Sequence, residues 1–308
     1  MVEPLISQAR RGPLLAAKCS IPPQRPGGVV RRRLHDLLLG NAPTRLTAVV
    51  APAGWGKTTL LSQWAHDPRE HRRVAWVSLD ESDDEPVRFW SYVMTALRPH
   101  GLGAGSVSAL GAPGVDPIDV AVPLLLNELE SATDAVVLVL DDFHLLSDPR
   151  VHEGVEFLLA YLPASMRLVV AGRTDPPLPL PRLRARGELT EIRAEDLRFS
   201  PHEAGALVAS VGDVDLGASA VLGLCERTEG WATGLQLAAI ALRGAAAPAA
   251  AVDAIRGDDR HIREGLAPVV PRARRLGHLQ AGRAARARCH PRRPCPVRHA
   301  GLGHGHRR

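Results

Sequence analysis

The stretch VVAPAGWGKTTLLSQW, Val49 to Trp64, constrains the fold more tightly than any other part of the chain. An apolar run ends in a glycine-rich turn, and beyond Lys57 the residues Leu60, Leu61 and Trp64 share one helical face, so the order is strand, loop, helix. Glycines in such a loop let successive backbone N–H groups turn inward around phosphate oxygens at a helix N-terminus, where the dipole also favours negative charge. Gly54 and Gly56 are placed to do this, Lys57 to reach the β and γ phosphates, and the Thr58 hydroxyl to meet Mg²⁺. The loop assigned to a nucleotide comprises Ala51, Pro52, Ala53, Gly54, Trp55, Gly56, Lys57, Thr58 and Thr59. Ala51 stands where the usual spacing has its first glycine; it comes at the strand end, before the tightest part of the turn, where one methyl group is tolerated. Lys57 is one of two lysines among 38 cations. In a chain that otherwise uses arginine, a lysine at this position fits the need for a compact charge that a broad guanidinium cannot supply.

The rest of the chain repeats the alternation. RVAWVSLD reads as a strand, followed by an acidic turn and a helix with Phe89, Trp90, Val93, Met94 and Leu97 at helical spacing. A Gly/Ala/Ser-rich loop over about 101–114 leads to a helix over about 116–131. AVVLVLDD then reads as a central strand buried on both faces. A striped helix carries Val151, Val155, Leu158, Leu159 and Leu162; MRLVVAGR is a fourth strand and ELTEIRA a candidate fifth. The prediction is an α/β fold: a P-loop NTPase domain over 46–199 with a mostly parallel sheet and its ligand at the carboxyl ends of the strands. An arm over 1–45, rich in Pro and Arg, leads in and becomes a short helix from about Arg31. After 200 the strand signals stop, which predicts a small helical domain over 200–262, with Trp231, Leu235, Ala238 and Leu242 on one face and GAAAPAAA as a linker.

The overall charge of +5 is misleading as a sign of a nucleic-acid partner, because residues 263–308 hold 12 of the 38 Lys and Arg but one of the 33 Asp and Glu. Residues 1–262 are therefore net acidic, at −6, and specific DNA binding by this chain is not expected. The tail is expected to be disordered; its Cys289, His290, Cys295, His299, His304 and His306 match no standard zinc spacing. The scattered cysteines point to reduced thiols. No window supplies the roughly 18–20 apolar residues of a membrane span, and the N-terminus lacks a secretory signal, so a cytoplasmic protein without membrane contact is expected.

VVLVLDD supplies the companion to the glycine loop. An acid at the tip of a neighbouring buried strand can hold the magnesium shell, a role assigned to Asp141, while Asp142 is placed to orient and polarise an attacking water. Arg173, at the end of the fourth strand, is placed to feel the γ-phosphate. His144 is read as structural rather than catalytic.

With those motifs in place, residues 10 to about 262 resemble the large ATP-binding regulators of the LuxR family, the MalT-like group within the STAND class of P-loop ATPases. The resemblance rests on APAGWGKTTLLSQW, VAWVSLDESDDEPVRFWSYVMTAL, LVLDDFHLL, LVVAGRTDPPLPLPRLRARGEL and TEGWATGLQLAAIAL, in that order and spacing. It implies a switch that is closed with ADP and opened by inducer and ATP for self-association and transcription activation. By the same resemblance Val30 and Arg31 flank the adenine base, and EGWATGLQ, around Gly230 and Trp231, joins the helical domain to the nucleotide domain; Ala232 stands where many such proteins carry proline. The family further implies a helical-repeat sensor that would take a small-molecule inducer, and a C-terminal helix-turn-helix. Neither is expected within these 308 residues. Past DDRHI the likeness ends, and the Arg/Pro/His-rich text resembles out-of-frame reading of GC-rich DNA, so a truncated or frameshifted product is expected. A P-loop small-molecule kinase is the alternative, although no acceptor-binding base stands out; a nonfunctional remnant is the other.

Overall fold

The protein is described here by a computed structural model covering residues 13–40, 44–110, 116–245 and 247–252. All of these fall within one compact unit, Met1–Ala267. The Arg-rich tail expected to be disordered, with its cysteine and histidine set, lies outside the described residues.

Five strands form one all-parallel sheet: β1 Leu46–Val50, β2 Arg73–Ser78, β3 Val136–Asp141, β4 Met166–Gly172 and β5 Leu189–Ile192, in the order β2-β3-β4-β1-β5. Every residue of β1 and β3 is buried, as their largely apolar runs require of interior parallel strands. Side chains alternate between two cores. Leu46, Val77, Leu138, Leu140, Leu168 and Val170 face a layer built by α3 (Pro86–Leu97), α5 (Val122–Glu130) and α6 (Pro149–Ala160). Val49, Trp76, Val139, Val169 and Ala171 face α1 (Arg32–Leu39) and α2 (Lys57–Ala65). Contrary to the expectation of neighbouring strands, β1 and β3 are not adjacent: β4 lies between them. Strand order depends on which crossover packs where, and local sequence does not encode it.

Two segments expected to lack structure are helical. Within the Gly/Ala/Ser-rich loop, Ala104–Leu110 forms a helix, α4. Its start is held by the Glu128 carboxylate of α5, which accepts from the N–H groups of Gly103 and Gly105. A cap supplied from more than 20 residues away leaves no local signature. Likewise the linker GAAAPAAA contributes to α12, Pro248–Val252, whose Val252 is buried.

Beyond β5, Leu180–Ala185 (α7) having preceded it, come α8 (Ala194–Leu197), α9 (Pro201–Leu207), α10 (Ala218–Thr228) and α11 (Ala232–Leu242). A reciprocal cap opens this helical region: Ser200 Oγ accepts from the Glu203 N–H, and the Glu203 carboxylate accepts from the Ser200 N–H. The helices enclose a separate core around Leu207, Val208, Leu224, Leu235 and Leu242. Of the four residues expected on one face of α11, Leu235, Ala238 and Leu242 are buried, whereas Trp231 precedes the helix and is half-buried.

The arm is more than a lead-in. Lys18 Nζ sits 2.6 Å from Asp80 and 2.5 Å from Asp83, Pro22 O accepts from Ser62 of α2, and Gly27 O accepts from Ser210 in the helical region. The second of the chain's two lysines is thus an anchor at the sheet edge.

Candidate functional site

Backbone geometry sets the glycine loop. Gly54 and Gly56 have φ values of +79° and +76°, in the region where only glycine is unstrained. Ala51 is buried, continues the strand by donating its N–H to Gly172 O, and adopts no left-handed conformation. Four of the loop's carbonyls have donors. Lys57 Nζ reaches back to Ala51 O at 2.7 Å and Pro52 O at 3.1 Å. Gly54 O accepts from both the N–H (3.1 Å) and the hydroxyl (2.8 Å) of Thr233, and Gly56 O accepts from Arg31 at 3.0 Å. Among the described residues no acceptor meets the N–H groups from Ala53 to Thr59. A run of backbone donors without partners at a helix N-terminus is the chemistry of an anion site, and the cradle fits a polyphosphate.

The loop lies on a cavity of about 290 Å³ at the carboxyl ends of the strands. Ala53, Gly54, Gly56, Lys57, Thr58 and Thr59 form its floor, with Asp142 and Arg173 at one end. The lining also includes the apolar Val29, Phe199, Leu207 and Val211, the amides Gln63 and Gln236, and the cations Arg25 and Arg31. A cavity that joins backbone donors and cations to apolar side chains suits a phosphorylated heteroaromatic ligand. Pro52, Trp55 and Asp141 do not line the cavity. Pro52 supports Lys57, Trp55 packs against the core beside α2, and Asp141 acts through Thr58, whose hydroxyl donates to Asp141 Oδ2 at 2.8 Å. The loop and the β3 tip meet across the intervening strand because Thr58 spans the gap.

Val30, expected to flank the base, is 48% exposed and does not line this cavity, whereas Val29 does. The arm's turn at Arg25–Gly28 lines it as well. Arg31 is buried, with its guanidinium donating to Leu197 O and Gly56 O and lying 5.0 Å from the Phe199 ring centroid. Burial without a carboxylate partner lowers its pKa to about 10. Arg31 therefore fastens the glycine loop to the segment that enters the helical region. Sequence reasoning missed Thr233 and Phe199, whose roles are created by chain segments far away in sequence, although EGWATGLQ does carry the contact: Trp231 and Thr233 pack so closely that a Cβ on Gly54 would lie 2.9 and 2.6 Å from them.

Electrostatics mark the acidic pair. Burial, and then the neighbouring Asp142 charge, raise the Asp141 pKa to about 6, against the hydrogen bonds from Thr58 and the Asp142 N–H and the attraction of Lys57. Burial likewise lowers the Lys57 pKa, opposed by the two aspartates. Asp142 adopts a left-handed conformation, φ +59°, with its side chain 46% exposed. Arg173 is exposed at the cavity edge.

A stability consequence follows from Asp141. A carboxyl group whose folded pKa lies above its unfolded value contributes fully to stability below about pH 4 and loses that contribution as pH rises through about 6. A shift of this size corresponds to about 2–3 kcal/mol. In the absence of nucleotide and metal, Asp141→Asn is expected to melt about 5 °C above the parent at pH 7.5 and at nearly the parent temperature at pH 4. Thermal denaturation at the two pH values checks this, and equal melting at pH 7.5 would contradict the buried charge.

In sequence, the chain is 36% identical over 232 residues to the HTH-type transcriptional regulator MalT of Yersinia enterocolitica and 36% identical over 237 residues to MalT of Serratia proteamaculans. Each match covers 75% of this chain and 25% of the relative, so the chain spans about a quarter of the length of the curated relatives it matches. Among solved structures, it is similar to the STAND protein with a tetratricopeptide repeat sensor from Pyrococcus horikoshii, with a TM-score of 0.50 and 15% identity over 70% of this chain and 30% of that one. No family model matches. No helix among the described residues is long and apolar enough to cross a membrane. The chain thus carries a P-loop NTPase domain of STAND-like fold, related in sequence to part of the MalT regulators.

Proposed function

We propose that this domain is the ATP-binding, slowly hydrolysing switch of a MalT-like transcription regulator, in which turnover resets a conformation instead of making a product. The observation that carries the reading is the run of N–H groups from Ala53 to Thr59 that have no partner among the described residues, beside Lys57, whose Nζ reaches the carbonyls of Ala51 and Pro52. Phosphate oxygens would accept from those donors, with Lys57 exchanging its two loop carbonyls for the β and γ phosphates. The adenine ring would take the apolar part of the cavity, which Val29, Phe199 and Leu207 line. Thr58 and Asp141 are the residues that would hold Mg²⁺, whose chemistry when bound is to neutralise charge on the phosphates. Asp142 would orient the attacking water, and Arg173 would respond to the γ-phosphate. The expected conformational change is a closure between the residues before and after about 200, communicated through Thr233 on Gly54. Inducer binding and self-association in the ATP state belong to the whole regulator, and no specific DNA contact is assigned to this segment.

The test is to melt the purified chain with and without ATP and Mg²⁺ and to follow its products. ATP should raise the melting temperature, and ADP and phosphate should appear slowly without any phosphorylated third molecule. A melting temperature that ATP does not move would overturn the reading; a phosphorylated small-molecule product would favour the kinase alternative.

A further inference from the structure

His144 is the least expected side chain near the site. It lies on the short 3₁₀ turn Phe143–Leu145, directly after Asp142 and beyond the tip of β3. Its side chain is nine-tenths buried, and neither ring nitrogen has a hydrogen-bond partner. Leaving buried polar atoms unpaired is unfavourable, and an apolar ring of similar volume would fill the space without that penalty. Packing alone does not explain a histidine here.

Its surroundings do. One ring nitrogen, Nδ1, is 3.9 Å from Asp142 Oδ1, too long for a hydrogen bond but within a small side-chain rotation of one. The Asp142 carboxylate is half exposed, faces the cavity and accepts no hydrogen bond among the described residues. On its other side His144 packs against Gly172, where a Cβ would lie 3.4 Å from the His144 Cβ, immediately before Arg173. Burial lowers the His144 pKa, so the ring is neutral at pH 7 and offers one N–H.

We propose that His144 is a positioning residue for Asp142: its ring N–H holds one carboxylate oxygen, which leaves the other to orient the attacking water. This rests on the assignment of Asp142 made above. It follows the general pattern in which a base is oriented by a third group.

The test uses His144→Phe, which keeps the ring volume and removes the donor, and His144→Asn, which keeps a donor. His144→Phe should bind ADP within about twofold of the parent while phosphate release falls at least tenfold at unchanged KM. His144→Asn should recover most of that rate. In an Asp142→Asn background, His144→Phe should cause no further loss. A second readout needs no turnover: with ¹⁵N-labelled histidine and no nucleotide, the ring signal that disappears in His144→Phe should shift in Asp142→Asn. Parent-like turnover in His144→Phe, equal losses in the Phe and Asn variants, additive losses with Asp142→Asn, or an unmoved ring signal would each overturn the proposal. Normal turnover in Asp142→Asn would instead remove the assignment of Asp142 itself, and an unmoved signal beside an inactive Asp142→Asn removes the His144 role alone.

Discussion

Replacing Lys57 with alanine is expected to lower ATP and ADP affinity at least about a hundredfold, the loss of two charge-assisted hydrogen bonds of roughly 1.5–3 kcal/mol each. The fold should survive. Among the described residues, Lys57 Nζ is bonded only to the carbonyls of Ala51 and Pro52, and the loop's glycines and its contacts with Arg31 and Thr233 remain. Burial already lowers the Lys57 pKa, so removing the ammonium relieves a desolvation cost at the same time as it frees two acceptors. Isothermal titration with ADP, paired with thermal denaturation without ligand, separates the effects. Unchanged affinity in a folded variant would remove the glycine loop from the nucleotide site.

Replacing Asp142 with asparagine is expected to spare binding and abolish turnover. The side chain is at the cavity end, half exposed, and touches neither the loop carbonyls nor Thr58. Asparagine also tolerates the left-handed conformation that Asp142 adopts, so the local turn should persist. What disappears is a carboxylate able to polarise water, worth about 10²–10⁴ in rate for a positioned general base. Single-turnover phosphate release should therefore fall by at least about a hundredfold, with ATP affinity within about threefold of the parent. Equal loss of both would mean that Asp142 shapes the pocket instead of serving the chemistry.

Local sequence made the glycine loop, the β3 tip and the alternation of strands and helices legible, because each depends on residues within one or two turns of one another. Lys57 was singled out for that reason, whereas Arg31 was named only through the family resemblance. What escaped was set at a distance. α4 depends on Glu128, β4 intervenes between β1 and β3 through the packing of its crossovers, and the clasp on Gly54 depends on Thr233, 179 residues later. That Val29 and not Val30 lines the cavity is a one-residue difference in the arm, where tertiary contacts select which side chain faces inward. His144 was read as structural because a sequence shows a residue's identity and not whether its nitrogens find partners.

The cavity's two apolar walls come from opposite ends of the described chain, the arm before the sheet and the helices after it, and they meet where Ser210 donates to Gly27, 183 residues earlier. A ribosome-bound chain that has emerged only through β5 would possess the phosphate cradle but no place for a base. A base held as proposed would then be bound only late in synthesis, once the helical region had folded back over the arm, so that occupancy of the proposed site would report a finished domain.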